Sequence, residues 1–135
     1  MLFSDRLKHG IHRAARDDTL LAVLFIDLDH FKAINDTLGH HIGDQLLQNI
    51  AQQLERMLRN SDTLARWSGD EFILLIEDIN GISDTILIAQ KLLNVFVQPL
   101  VLAGYELYLT VSIGISFYPT DGKESHELIK NAEAA

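Results

Sequence analysis

Residues 63–76 read TLARWSGDEFILLI, and the rest of the chain is organised around this stretch. Two short apolar runs flank a turn at Ser68 and Gly69, which is the pattern of a β-hairpin. Asp70 and Glu71 then place two carboxylates at the tip of that hairpin. Glycine lets a ligand come close to the backbone, and carboxylates are ligands of hard cations. The stretch therefore predicts a hairpin tip suited to a metal ion and a phosphate.

The composition indicates one folded domain. The chain has 135 residues, of which 47% are hydrophobic and 22% are charged, enough for a single domain with its own core. The formal net charge is −8 and the pI is about 5.0, without a basic stripe. We therefore expect neither nucleic acid nor direct membrane contact for this domain. A polyphosphate ligand would need a divalent cation to accompany it.

Cysteine is absent, which excludes disulfides and thiol chemistry and fits a reducing cytoplasm. No apolar run reaches the roughly 20 residues of a membrane span, and the first residues do not show the pattern of a signal peptide. We expect a cytoplasmic domain, which could be the cytoplasmic part of a membrane-anchored parent protein.

The first part of the chain predicts a helix, a buried strand and a second helix. Apolar residues at steps of about four over residues 3–15 indicate an amphipathic helix with Ser4 or Asp5 as its N-cap. The apolar run of residues 20–27 indicates a central strand that is buried on both faces. A short helix is expected over residues 31–38.

Polar residues and glycines mark the next boundaries. Asp29 is placed to cap the short helix, and Gly39 is placed to end it. A long helix then opens at Gly43 and Asp44 and ends near Arg59, with one apolar stripe at helical spacing.

The part of the chain after the hairpin predicts helix, ribbon, strand and helix. A turn spans residues 77–81, and Ser83 or Asp84 caps a helix that runs to about Val97. The remaining predicted elements are a small hairpin around residues 103–104, a half-buried strand over 110–118, and a last helix that opens at Ser125 and covers 127–135.

After the first helix, the predicted order is β-α-α-β-β-α-β-β-β-α. The hairpins require antiparallel pairs, so the expected fold is of the α+β class, an α/β sandwich with helices packed on a central, mostly antiparallel sheet.

Carboxylates gather at the predicted ends of neighbouring strands. Asp27 ends the buried strand, Asp29 follows it, and Asp70 and Glu71 lie on the hairpin. Together they suit a hard cation, since Mg²⁺ binds one or two carboxylates plus substrate phosphates. Acids also commonly cap helices and lie in solvated turns, and from spacing alone both interpretations stay open.

The polar residues between the two predicted helices also have two interpretations. Asn35, Asp36 and Asp44 could hydrogen-bond the edge of a purine, or they could serve as caps and turn residues. Lys32 could contact a phosphate or be an ordinary surface lysine. Trp67 is expected to pack in the core.

The histidines do not form a convincing transition-metal site. His40 and His41 are adjacent and diverge in direction, no third ligand lies at helical spacing, and cysteine is absent. There is also no phosphate loop and no dinucleotide-binding glycine motif.

Three motifs together closely resemble the GGDEF family of bacterial diguanylate cyclases. Residues 25–36 read FIDLDHFKAIND, residues 39–44 read GHHIGD, and residues 68–72 read SGDEF. The likeness continues to VSIGIS at residues 111–116 and so covers nearly the whole chain. It implies a single GGDEF domain over residues 1–135 with a ferredoxin-like, palm-type nucleotidyl cyclase core.

The resemblance also implies a reaction. Family members condense two GTP into cyclic di-GMP and release pyrophosphate, and two subunits meet antiparallel so that each 3′-hydroxyl attacks the other's α-phosphate. By motif, Asp27, Asp70 and the Leu28 carbonyl are implied to bind Mg²⁺ or Mn²⁺. The other implied roles are GTP binding and catalysis. Asn35 and Asp44 are implied at the guanine, Ser68 and Gly69 at the phosphates, and Phe31 in GTP binding without a more specific role. Glu71, Asp70 and Lys32 are implied in catalysis.

Arg59 and Asp62 stand in the family's Arg-x-x-Asp position, five residues before the signature. The resemblance implies an inhibitory site for the cyclic di-GMP product, in which Arg59 pairs with phosphate or guanine. An arginine at a helix end followed by a turn aspartate is also a common structural pairing.

The chain departs from the family in two places. Ser68 replaces the first glycine of the signature, which would cost about 1 kcal/mol if the position requires a positive φ. The chain also stops at Ala135, before the cations that follow in the family. We therefore expect a fragment of a larger multidomain protein that lacks the end of its last helix.

These departures leave an alternative to a competent cyclase. It is a catalytically weak or inactive GGDEF module that binds GTP or cyclic di-GMP and regulates an attached domain. A related palm-type nucleotidyl transferase would share the two-carboxylate chemistry, but it would not explain the guanine-reading pair or the Arg-x-x-Asp motif.

Overall fold

The computed structural model describes residues 2–134. Within them the predicted order of elements is confirmed. The elements are α1 (Leu2–Asp17), β1 (Leu20–Leu28), α2 (Phe31–Leu38), α3 (His40–Arg56), β2 (Thr63–Ser68), β3 (Glu71–Ile79), α4 (Ile82–Val95), β4 (Leu100–Leu102), β5 (Tyr105–Leu107), β6 (Val111–Tyr118) and α5 (Ser125–Ala134).

The sheet has four strands in the order β2-β3-β1-β6, and each neighbouring pair is antiparallel. Strands β4 and β5 form a separate two-stranded ribbon. Strand β1 is central, and its residues 21–26 are buried, because helices cover both faces of the sheet. The α/β sandwich predicted from the sequence is confirmed.

Alternate residues of β1 point to opposite faces and therefore into two different cores. On one face, Val23 and Phe25 pack in a cluster with Phe3 and Leu7 of α1 and with residues of α5. Leu24 belongs to the cluster on the other face, which includes buried residues of α3 and α4. Both faces of the sheet are thus fixed by apolar packing.

Trp67 packs as predicted. Its ring meets Phe3 and Phe25 edge-on, with ring centroids 6.4 and 6.3 Å apart. The contact ties the hairpin strand β2 to α1 and β1, and aromatic pairs of this geometry add to the stability of a core.

Several predicted helix starts were wrong. Ser4 and Asp5 lie inside α1 and do not cap it, because the helix already includes Leu2. Helix α3 begins at His40, since Gly39 adopts φ 94° and accepts the Gly43 N–H, so that the new helix starts directly after it.

Other boundaries shift for similar local reasons. The turn predicted over 77–81 is shorter, because β3 continues to Ile79, which pairs with Leu20 at the start of β1. Helix α4 has Gly81 as its N-cap and no side-chain cap, so the predicted caps Ser83 and Asp84 are wrong, and it ends at Val95 rather than Val97. The predicted helix end at Ala135 lies outside the described residues.

Helix α2 packs tightly against α3 at Gly43. A Cβ at this position would lie 1.7 Å from Asn35 Oδ1 and 3.3 Å from Phe31 Cζ. Gly43 therefore lies inside α3 and does not open the helix. A glycine is needed at this position because its missing side chain leaves room for the Asn35 amide against the start of α3. No helix within residues 2–134 has the length and apolar character of a membrane span.

Candidate functional site

The acidic edge of the sheet lies where β1 ends between two partners. Asp27 pairs with Glu71 of β3 on one side and with Ser112 of β6 on the other. Antiparallel pairing places the end of β1 beside the beginnings of both neighbours. The carboxylates that the sequence separates by more than 40 positions therefore meet at one edge.

The hairpin tip is a two-residue turn over Gly69 and Asp70, closed by the pairing of Ser68 with Glu71. The Leu28 N–H donates to the Asp70 carbonyl at 3.0 Å, which joins the tip to the end of β1. The predicted hairpin is confirmed, and its aspartate is held beside Asp27 by main-chain geometry rather than by a flexible side chain.

Ser68 fits the hairpin without backbone strain. Among residues 2–134, the non-glycine residues with positive φ are Asp18, His30, Asp78 and Ala103, so Ser68 does not carry the cost of a left-handed conformation. Its hydroxyl donates a hydrogen bond to Glu71 Oε1.

At Gly69, an added Cβ would have no atom within 4 Å. The space in front of this backbone is therefore open to a ligand. An Arg66 Nη2 hydrogen bond of 3.0 Å to the Gly69 carbonyl braces the turn from the other side. Sequence reasoning gave Arg66 no role, because its acceptor is a main-chain atom.

The pKa of Asp27 is raised above its ordinary value. Burial of the carboxyl is the main cause, followed by the negative charges of Asp70, Glu71 and Asp29. Closely spaced carboxylates repel one another, and a bound cation would remove that repulsion. The donor set therefore fits a divalent cation. Among residues 2–134, no group of three or more acidic, histidine or cysteine side chains is arranged to hold a metal alone.

Asp29 is not the N-cap of α2, which corrects the prediction. The N-cap is His30, in a left-handed conformation at φ 62° and without a side-chain cap. The Asp29 carboxylate instead accepts hydrogen bonds from Thr110 Oγ1 at 2.8 Å and Ser112 Oγ at 3.1 Å. Sequence reasoning missed both hydroxyls. Thr110 directly precedes β6 and Ser112 lies at its start, and the sequence does not show that these residues face Asp29.

Helices α2 and α3 form the second wall near this edge. Asn35 Oδ1 is buried and has no hydrogen-bond partner within the protein, and Asp44 lies exposed directly after Gly43. Phe31 is 6% exposed at the start of α2, and Lys32 beside it is exposed. The structure thus places the predicted amide and carboxylate on adjoining turns of two helices.

Arg59 and Asp62 come together near the opposite end of the sheet. The Arg59 N–H donates to Asp62 Oδ2 at 3.0 Å, and Arg59 Nη2 lies 3.5 Å from Asp62 Oδ1. The same Nη2 donates to the Glu77 carbonyl at 2.7 Å, while the Glu77 carboxylate binds Arg13 of α1 at 2.7 Å. The Arg59 side chain is 56% exposed and that of Asp62 only 3%. The arginine is therefore available to a ligand, and the aspartate is a support behind it.

The fold and the acidic edge define an α/β-sandwich domain with its polar site at the ends of the central strands. The family model described as "Diguanylate cyclase, GGDEF domain" matches residues 1–135. The chain therefore belongs to the GGDEF family of diguanylate cyclase domains, which are nucleotidyltransferases.

Two proteins from Pseudomonas aeruginosa are similar to this chain in sequence. The bifunctional diguanylate cyclase/cyclic di-GMP phosphodiesterase MucR is 48% identical over 135 residues, which cover all of this chain and 20% of MucR. The cyclic di-GMP phosphodiesterase NbdA is 46% identical over 115 residues, 85% of this chain and 15% of NbdA. The chain thus spans a fifth or less of these relatives' length.

A solved structure agrees with the fold throughout. The crystal structure of the GGDEF domain of TpbB, also called YfiN, superposes with a TM-score of 0.97 at 38% identity. The match covers 99% of this chain and 84% of the TpbB chain.

The raised pKa of Asp27 predicts how stability depends on pH. Because the folded protein holds this proton more tightly than the unfolded chain, stability falls as pH rises from the ordinary value of 3.8 through the raised value. Without divalent cations, Asp27→Asn should therefore unfold at higher urea concentration than wild type at pH 7. The difference should vanish below the ordinary pKa, where the Asp27 carboxyl of wild type is protonated in both the folded and the unfolded chain.

Urea unfolding in EDTA across this pH range measures the effect, and Asp18→Asn is the control. Asp18 is exposed and has a left-handed φ of 56°, which asparagine tolerates. A wild type more stable than Asp27→Asn at pH 7 would contradict the prediction.

Proposed function

We propose that this domain condenses two GTP into cyclic di-GMP and pyrophosphate. The observation that supports this most is the convergence of Asp27, Asp70 and Glu71 at one edge, where burial and mutual charge raise the pKa of Asp27. Such an edge suits a reaction in which a cation and a polyphosphate bind together. A cytoplasmic location is part of the proposal, because GTP, the proposed substrate, is supplied there.

The cation would be Mg²⁺ or Mn²⁺. Asp27 and Asp70, helped by the Leu28 carbonyl, are the residues that would hold it. When bound, it supplies neutralisation and orientation of the triphosphate. The main-chain bond from Leu28 to Asp70 fixes the two strand ends relative to each other before any ligand arrives.

Glu71 would accept the proton of the attacking 3′-hydroxyl. The new bond forms between the 3′-oxygen and the α-phosphorus of the other GTP. The bond between the α-phosphorus and the bridging oxygen breaks, and pyrophosphate leaves. Gly69 allows the phosphates to approach the backbone, and Lys32 offers a positive charge to them. Little covalent chemistry is required of the protein beyond positioning and charge stabilisation.

Guanine would be read by Asn35 and Asp44, with Phe31 lining the pocket. A buried amide oxygen without a partner is costly, and an N–H of a purine would satisfy Asn35 Oδ1. Asp44 supplies a second acceptor on the facing helix. Each subunit binds one GTP in this scheme, so a homodimer is needed to bring two nucleotides together.

Turnover tests the proposal directly. The full-length protein with GTP and Mg²⁺ should release cyclic di-GMP and pyrophosphate, measured by mass spectrometry. Asp70→Asn should lower the rate at least about a hundredfold, because it removes a metal-binding carboxylate. Asp5→Asn, an exposed acid of α1, is the control. Absence of product from a dimeric wild-type protein would reject the cyclase proposal.

Gly43→Ala tests the guanine pocket separately. The new Cβ would displace the Asn35 amide, while alanine favours the helix by about 1 kcal/mol. We expect GTP affinity to fall at least about tenfold with the melting temperature nearly unchanged. Gly81→Ala, whose Cβ meets only Ser83 Oγ at 3.9 Å, should leave GTP affinity unchanged. Unaltered GTP binding in Gly43→Ala would argue against this pocket.

Arg59 and Asp62 are proposed as the inhibitory site for cyclic di-GMP. The exposed guanidinium can pair with phosphate or guanine, and buried Asp62 with the Glu77 carbonyl holds it in place. The aspartate would act by orienting Arg59.

Arg59→Ala should leave the initial rate unchanged and raise the cyclic di-GMP concentration for half-inhibition at least about tenfold. The reason is the loss of the charge-assisted hydrogen bonds that the guanidinium would make to the ligand. Progress curves with added product measure this. Arg56→Ala, three residues earlier on α3, should stay inhibited like wild type. Equal inhibition of Arg59→Ala and wild type would place the inhibitory site elsewhere.

A second candidate function is a regulatory module that binds GTP or cyclic di-GMP without turnover. The hydrogen bond from Ser68 to Glu71 supports this candidate, because it occupies one oxygen of the proposed base. Calorimetry with each nucleotide separates the two functions, since binding without product formation would support the module.

A further inference from the structure

We propose that Asp29 is a positioning residue, which clamps the turn after β1 to the start of β6 through Thr110 and Ser112 and so holds Asp27 and Leu28 for cation binding. The inference rests on the proposed function, and it assigns a role to three residues outside the proposed cation ligands.

Three hydrogen bonds build this clamp. The Asp29 N–H donates to the Thr110 carbonyl at 2.9 Å, and Thr110 Oγ1 donates back to Asp29 Oδ2 at 2.8 Å. Ser112 Oγ donates to Asp29 Oδ1 at 3.1 Å. Both carboxylate oxygens are thus engaged by residues at or just before the start of β6, some 80 residues away in sequence, and Asp29 is taken as a support rather than a cation ligand.

The clamp acts on a turn that needs support. His30, the next residue, has φ 62°, a left-handed conformation that costs about 1 kcal/mol for a residue with a side chain. Such conformations persist where surrounding contacts impose them. The reciprocal bonds between Asp29 and Thr110 supply such contacts on the β6 side.

Leu28 is held from both sides as a result. Its N–H bonds the Asp70 carbonyl of the hairpin, and its neighbour Asp29 bonds β6. Asp27 lies in the same short segment, paired with Glu71 and Ser112. Loss of the β6 side would let the turn move relative to the hairpin, and a cation site made from both pieces would lose its geometry. Residues that orient metal ligands commonly contribute 10- to about 100-fold in metal affinity.

A matched pair of threonine variants tests the clamp. Thr110→Val removes the hydroxyl and preserves the shape, whereas Thr110→Ser keeps the hydroxyl. In the full-length protein with a non-hydrolysable GTP analogue, Mn²⁺ affinity measured by electron paramagnetic resonance should fall about tenfold in Thr110→Val and stay within about twofold of wild type in Thr110→Ser. Ser112→Ala and Asp29→Asn should weaken Mn²⁺ binding in the same direction.

The outcomes separate this inference from the cyclase proposal. Wild-type Mn²⁺ affinity in a folded Thr110→Val, with an active wild-type protein, would overturn the clamp alone. A lower melting temperature without a change in Mn²⁺ affinity would also overturn it, because the role would then be only structural. If Thr110→Val does not fold, Ser112→Ala decides the same question. A wild type that binds no Mn²⁺ and forms no product would overturn the proposed function and the clamp with it.

Discussion

Strand β1 is hydrogen-bonded on both sides and buried on both faces, and this constraint determines where Asp27 lies. A shift of one residue would exchange the two faces and bring the acidic end into the core. The strand therefore delivers its carboxylate to one fixed place, where β3 and β6 begin. Burial and neighbouring charge raise the pKa of Asp27 there. Repulsion between the carboxylates therefore destabilises this edge of the fold, and apolar packing elsewhere offsets that cost. A bound cation would remove the repulsion.

The acids at this edge have similar chemistry but different surroundings. Asp70 is fixed through its backbone, Glu71 accepts a hydroxyl from Ser68, and Asp29 accepts two hydroxyls from β6. Asp27 is distinguished by its shifted pKa. These different surroundings suit the carboxylates to the different roles proposed for them, cation binding for Asp27 and Asp70 and support for Asp29.

The sequence predicted those parts of the fold that local patterns determine. The apolar run of β1, the Ser-Gly turn and the helical stripes each specify one element, and together they require the sandwich. The role of Asp29 could not be predicted, because an acid before a helix is usually a cap and its partners lie some 80 residues later. Gly43 was misassigned for a related reason. Glycine is needed there because the Asn35 side chain comes too close for a Cβ. This is a contact between two helices, and neither helical pattern reveals it.

Strand β3 connects the two proposed sites and also separates them. Glu71 lies at the acidic edge, and Glu77, whose carbonyl binds Arg59, lies six residues further along the same strand, which corresponds to about 20 Å. A nucleotide on Arg59 would therefore not reach the carboxylates of its own subunit. The strand between them is buried and paired on both sides, so it is closely packed and does not deform easily. A ligand on Arg59 would therefore not change the acidic edge by distorting β3. The proposed inhibition by a ligand on Arg59 would then act on the arrangement of the two domains in the proposed homodimer. Glu77, whose carbonyl binds Arg59, also pairs with Arg13 of α1, so α1 is the element through which such a ligand would affect that arrangement.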